Sequence, residues 1–116
     1  MEKFAKANEV LPKHEQAVCV FTRDDKFNYD SLGNGTTGNW KVDREELDEV
    51  KKVIIYLRRP GEDINRIFLG DYAGWRNSEE QDRYIIRFTH LKEMGTTQST
   101  WVEFAGFAQT PVGFVC

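Results

Sequence analysis

Three tryptophans stand next to small or polar residues that suit a binding site. Trp40 follows Gly38-Asn39, Trp75 lies between Gly74 and Arg76, and Trp101 comes after a Gly95-Thr96-Thr97 stretch. An indole at a loop–strand junction offers a platform for a flat guest. Stacking an unpaired or flipped base is worth about 1–3 kcal/mol per base. Thr36, Thr37 and Asn39 would supply hydrogen bonds to the edge of such a base. Arg58, Arg59, Arg76 and Lys92 would hold its phosphates. The same rings can instead plug the end of a small barrel, and residue types alone leave both uses open.

Other chemistries find less support. Gly33-Asn34-Gly35-Thr36-Thr37-Gly38 matches the G-x-G-x-x-G string, but a dinucleotide site needs it between a strand and a helix. Here the expected helix begins about five residues later, beyond Trp40, and no Walker lysine follows, so no cofactor is expected. His14, Cys19, His90 and Cys116 lack metal-ligand spacing, so no metal is expected. Cys19 with His90 would be a nucleophile pair only if the fold joined them, and Cys19 sits mid-strand, where a buried inert thiol is the usual outcome. Glu45, Glu46, Asp48 and Glu49 form a solvated helix face with no acid/base pair. An enzyme therefore has the least support, and no catalytic residue is assigned.

Composition bounds the rest. At 116 residues the chain fits a single domain, 1–116, with residues 1–16 as a lead-in and 17–116 as the folded core. Three Trp, four Tyr and eight Phe give so short a chain much buried area per residue. The formal charge of -3 is unevenly spread: residues 1–50 hold seven Lys/Arg against eleven Asp/Glu, whereas 51–92 hold nine against six. The middle is thus locally basic, mostly through arginine, although a sequence pI near 5.4 is low for a nucleic-acid binder. No run of about eighteen apolar residues exists to span a membrane. Two cysteines make no disulfide framework and the first sixteen residues lack a signal-peptide segment, so the expected compartment is the cytoplasm.

The elements that must position these residues are mostly strands. Residues 53–57 and 64–69 are two apolar runs joined by Arg59-Pro60-Gly61-Glu62-Asp63, the pattern of a β-hairpin. Residues 17–23 form a strand buried on both faces, and 83–91 a further strand with either Tyr84, Ile86 and Phe88 or the alternate set facing the core. Residues 28–39 read as a long polar loop, 40–42 as a short strand, and Asp43 with Glu46 as a capping box opening a helix to about residue 51. A bend is expected over 70–76, a loop over 92–99, a strand over 100–107 and an edge strand over 112–115.

Six or seven strands with one or two short helices and no regular βαβ alternation predict an α+β fold: a small, curved, mixed or antiparallel sheet closing into a β-barrel. The polar loop leading to Gly38-Asn39-Trp40, the following short helix, a hairpin ending in Gly70-Asp71-Tyr72 and a later Trp-bearing strand are similar in order to the PUA-like superfamily, which includes ASCH, EVE and YTH domains. The resemblance implies a compact barrel that binds RNA, or DNA with a modified base, in an aromatic pocket near Asn39 and Trp40, with Trp75 or Trp101 as a second wall. The expected function is accordingly a small nucleic-acid-binding module, RNA or DNA. The alternative is a non-catalytic interaction domain that pairs with a protein partner, a second copy of itself included, through the edge strand TPVGFVC.

Overall fold

The computed structural model describes residues 2–12, 15–23, 25–106 and 110–116. Strands β1 (Glu2–Lys3), β2 (Ala17–Thr22), β3 (Phe27–Tyr29), β4 (Gly35–Trp40), β5 (Lys52–Leu57), β6 (Asn65–Asn77), β7 (Tyr84–Thr97) and β8 (Val112–Val115) join one mixed sheet. Two one-turn helices accompany it, α1 (Arg44–Leu47) and α2 (Trp101–Phe104). The path across the sheet is β3-β4-β7-β6-β5-β2-β8, with β1 added to the far end of β7. No ladder joins β3 to β8, so the sheet is open where closure into a barrel was expected.

The central hairpin is as expected. β5 pairs antiparallel with β6, and Glu62 N–H donates to Arg59 C=O at 3.2 Å across Pro60-Gly61. Gly61 has φ of +84°, which suits the third position of a type II turn, with Pro60 before it. Along β2 and β5 successive residues enter opposite cores. Val18, Val20, Val53, Ile55 and Leu57 join one cluster, and Ala17, Cys19, Ile54 and Tyr56 join the other. The strands read as continuous apolar runs because both faces are covered.

One cluster fills the concave face beneath α1, with Trp40, Leu47, Phe68, Ile86 and Phe88. The second is covered by the N-terminal segment, through Phe4, Ala7 and Val10, and by Phe104 of α2. That cover leaves Arg76, Arg87 and Lys92 exposed on the same face.

β6 and β7 run much further than expected, through the supposed bend at 70–76 and loop at 92–99. Three register shifts absorb the curvature. At one of them Gly70 alone faces two residues, His90 and Leu91, and His90 takes φ of +54°. A bulge of this kind bends and twists a strand while keeping it paired. β7 can then serve β4 at its start and β1 at its end.

Three other expectations change. Residues 28–39 are a hairpin, β3–β4, rather than a loop. Its turn is held by Asp30 Oδ1, which accepts from the N–H groups of Leu32 (2.9 Å) and Asn34 (3.0 Å). Residues 101–104 are helical rather than extended, because Thr100 caps the turn by accepting from Glu103 N–H at 3.3 Å; Phe107 of the expected strand lies outside the described residues. Asp43 does cap α1, accepting from Glu45 N–H at 2.9 Å. The helix stops at Leu47, well short of residue 51, since the Lys51 and Lys52 N–H groups already donate to Gln16 C=O at the start of β5.

Candidate functional site

The three indoles do not converge. Trp40 is 3% exposed in the concave core, and its Nε1–H donates to Thr37 Oγ1 at 3.0 Å. Thr37 Oγ1 in turn donates to Lys26 C=O at 2.6 Å. Thr37 is buried as well, so neither group has a surface open to a guest. Trp75 is half-buried against the same cluster, edge-on to Tyr84, with the Arg44 guanidinium 5.6 Å from its ring centre. Trp101 lies on the other side of the sheet, edge-on to Phe21 and Tyr56, and its Nε1–H donates to Thr110 C=O at 2.8 Å. Asn39 Oδ1 accepts from Ser78 Oγ at 2.6 Å, a bond that ties β4 to the β6–β7 connection.

The expected phosphate ligands also separate. Arg58 and Arg59 flank the β5–β6 turn, where Arg58 donates to Asn65 Oδ1 at 2.9 Å and Arg59 faces Glu62 at 4.0 Å. Arg76 lies at the opposite end of β6. Lys92 lines a cleft beside Lys52, Asp71 and His90.

The ladders nevertheless bring a different set together. Residues directly opposite one another in a sheet share a face. Asn28 faces Thr36, Thr36 faces Arg87, and Arg76 faces Ile85. Ile85, Arg87 and Thr89 alternate along β7, and Asp71 faces both Thr89 and Lys52. All lie on the face of the second cluster, beside and beyond the part that the N-terminal segment covers. The strip runs roughly 20 Å along β7 at about 3.3 Å per residue. One end is a polar hollow of about 340 Å³ whose lining includes Asp25, Lys26, Asn28, Thr36, Arg76 and Ile85. The other is a cleft of about 450 Å³ walled by Val10, Leu11 and Met94 and carrying Lys52, Asp71, His90 and Lys92.

Arg76, Arg87 and Lys92 are exposed on this strip, and their side chains make no hydrogen bond or ion pair with any described residue. Lys52 is committed. Its ammonium meets Asp71 Oδ1 at 2.5 Å and Glu15 at 3.8 Å. That hydrogen bond holds the Asp71 carboxyl below the usual carboxylate range and raises the lysine. Asp71 Oδ2 also lies 3.0 Å from His90 Nδ1, which is shared with Thr89 Oγ1 at 3.1 Å, and the His90 side chain is largely open to solvent. The bulge aims this ring outward, and a non-glycine residue held at positive φ is a feature that gathers at functional sites.

Of the residues expected at the site, Thr36 and Arg76 meet at the polar hollow and Lys92 lines the cleft. The alternation of β7 carried the signal for Arg87: once Ile86 and Phe88 face inward, Ile85, Arg87 and Thr89 must face out. Lys26 and Asn28 lay inside or beside a stretch read as loop, and the Asp71–His90 contact depends on a bulge that no local pattern announces. Among the described residues no group of three His, Cys, Asp or Glu side chains is placed to hold a metal ion, and no helix is long and apolar enough to cross a membrane. Cys19 is fully buried, and its burial pushes the thiol pKa far up; exposed His90 does not meet it, and His14 lies outside the described residues. Comparison with known protein families, curated proteins and solved structures finds no match to this chain.

Proposed function

We propose that the chain is a binding module for single-stranded nucleic acid, taken along the exposed strip of the sheet. The observation that carries this reading is the presence of three unpaired cations, Arg76, Arg87 and Lys92, on one exposed strip of a chain whose net charge is -3. Uncompensated charge on one face attracts a polyanion even when the whole molecule is acidic. Asn28 and Thr36 add donors and acceptors between the arginines, and Ile85 offers a small apolar surface. Recognition by an aromatic cage gives way here to backbone capture, since the Trp40 ring has no face open to a base.

The test is a titration of labelled single-stranded RNA and DNA octamers, followed by fluorescence anisotropy at several salt concentrations. Binding should appear at low salt and weaken with a log–log slope of roughly -2 to -3, since each phosphate contact on a single strand contributes about 0.7. No anisotropy change at low salt with either polymer would remove the proposal.

A second reading rests on Asp71 and His90. In the tautomer whose Nδ1–H donates to the carboxylate, His90 presents an exposed Nε2 acceptor, the arrangement of a base with its orienting carboxylate in a hydrolytic site. Lys52 keeps that carboxyl ionised. Turnover of p-nitrophenyl esters or bis(p-nitrophenyl) phosphate that is lost in His90→Gln is its expected result. A wild-type protein inert to both substrates excludes it.

A further inference from the structure

Strand β8 is the free edge of the sheet, and its backbone is ready for one more strand. Phe21 N–H donates to Pro111 C=O at 2.9 Å, and Cys19 faces Gly113 in the same antiparallel ladder. Backbone groups alternate in such a ladder, so those of Gly113 and Val115 turn toward β2 and those of Val112 and Phe114 turn away. Thr110 Oγ1 takes the Val112 C=O at 2.8 Å. The Val112 N–H and both groups of Phe114 have no partner among the described residues.

A groove lies along this edge on each face of the sheet. On the concave side one of about 190 Å³ is lined by Gln16, Glu46, Glu49, Val50 and Phe114. On the other side one of about 270 Å³ is lined by Lys6, Asn8, Phe104, Ala105 and Val115. Side chains of an added strand point alternately to the two faces, so each groove would receive every second residue. The grooves differ in charge. Glu46 and Glu49 are exposed and make no ion pair with any described residue, whereas the opposite groove has an apolar floor from Phe104 and Ala105.

We propose that β8 docks an extended peptide segment of a partner protein by strand addition, with Lys or Arg side chains toward Glu46 and Glu49 and small apolar ones toward Phe104. Main-chain hydrogen bonds to Val112 and Phe114 supply affinity, and the acidic groove sets which face the cations take. A second copy of this chain fits less well. Val112–Val115 carries no cation to offer, and a two-fold β8–β8 pairing would put Glu46 and Glu49 of both copies on one side of the joined sheet.

The probe is a labelled hexapeptide alternating valine and lysine, titrated into the full ¹⁵N-labelled chain. Controls are the same peptide with glutamate for lysine, and one with its three valines and three lysines in blocks. The expected result is movement of the Val112 and Phe114 amide resonances with the alternating lysine peptide, and affinity for it at least about tenfold above both controls. The double variant Glu46→Lys, Glu49→Lys, which changes only exposed side chains, should reverse the preference toward the glutamate peptide. The proposal is overturned if those amides stay still up to about 1 mM peptide, if the three peptides bind alike, or if the double variant keeps the wild-type preference. Sedimentation showing a dimer that Glu46→Lys, Glu49→Lys leaves intact, with no peptide binding, would assign the edge to a second copy instead.

Discussion

The Trp40 indole N–H and the Thr37 hydroxyl form a buried hydrogen bond of 3.0 Å, and the same hydroxyl donates onward to Lys26 C=O at 2.6 Å. The chain of bonds fastens β4 to the segment that precedes β3. Thr37→Val keeps the shape of the side chain but leaves the buried indole N–H without its acceptor, while Lys26 C=O keeps the Gly38 N–H at 3.1 Å. We expect a loss of about 2 kcal/mol in urea unfolding, since orphaning a buried polar group costs about 1–3 kcal/mol. Thr37→Ser keeps the hydroxyl and should retain most of the stability. Trp40→Ala should cost about 3–5 kcal/mol, so any binding lost in that variant must be read together with its unfolding curve.

Arg76 and Arg87 are placed to test the proposed interface without disturbing the fold. Neither has a partner among the described residues, and exposed substitutions of this kind usually change stability by less than about 0.5 kcal/mol. Each alanine variant should lower oligonucleotide affinity without regard to sequence and reduce the salt slope by about 0.7. Arg58→Ala, beside the β5–β6 turn at the other end of the sheet from Arg76, should leave both unchanged. Equal effects from Arg58 and Arg87 would mean that binding does not follow the bare strip.

The hairpin of β5 and β6 was legible because Pro60-Gly61 is strong turn chemistry between two apolar runs. Cys19 was legible as a buried thiol because its strand has no polar interruption. The β3–β4 hairpin was hidden for a physical reason. Its core-facing residues in β4, Thr37 and Trp40, stand three apart across a register shift, so no period of two exists to be read. Gly35 adds to the disguise. It looks like a loop residue, yet a Cβ there would collide with Asn28 C=O, so glycine is what lets the two strands pass. For α2 the signal was present but overridden: Thr100 and Glu103 form a T-x-x-E capping pattern, and the aromatic and β-branched residues between them favoured a strand. The site was legible by residue type more than by place. The arginines were visible, whereas the face they share depended on bulges in β6 and β7.

The two cysteines should differ sharply in reactivity. Cys19 is fully buried between the strands, and burial disfavours its thiolate, while Cys116 is exposed. With a thiol-reactive disulfide reagent the native protein should therefore show one fast-reacting thiol. The second should react only at the rate of unfolding and become accessible at once in denaturant. Cys116→Ser should abolish the fast phase, and a fast phase surviving in that variant would place Cys19 within reach of solvent.

Stability should carry a pH signature from Asp71 and Lys52. The carboxyl is held below its ordinary value chiefly by the Lys52 hydrogen bond, so its contribution is present above the unfolded value near 3.9. It is lost as the pH falls through the depressed folded value. Lys52 is raised by the same bond, so its contribution is complete below the unfolded value near 10.4 and fades as the pH rises through the folded one. Between these limbs the pair should contribute only about 0.5–1 kcal/mol, because the side chains are 20% and 42% exposed and water screens them. Asp71→Asn should then be less stable than wild type by about that amount at neutral pH. The two proteins should converge once acid has neutralised the carboxyl. Urea unfolding of both across the acid range measures this directly, and a gap that persists after Asp71 is protonated would assign its role to packing at the bulge rather than to charge.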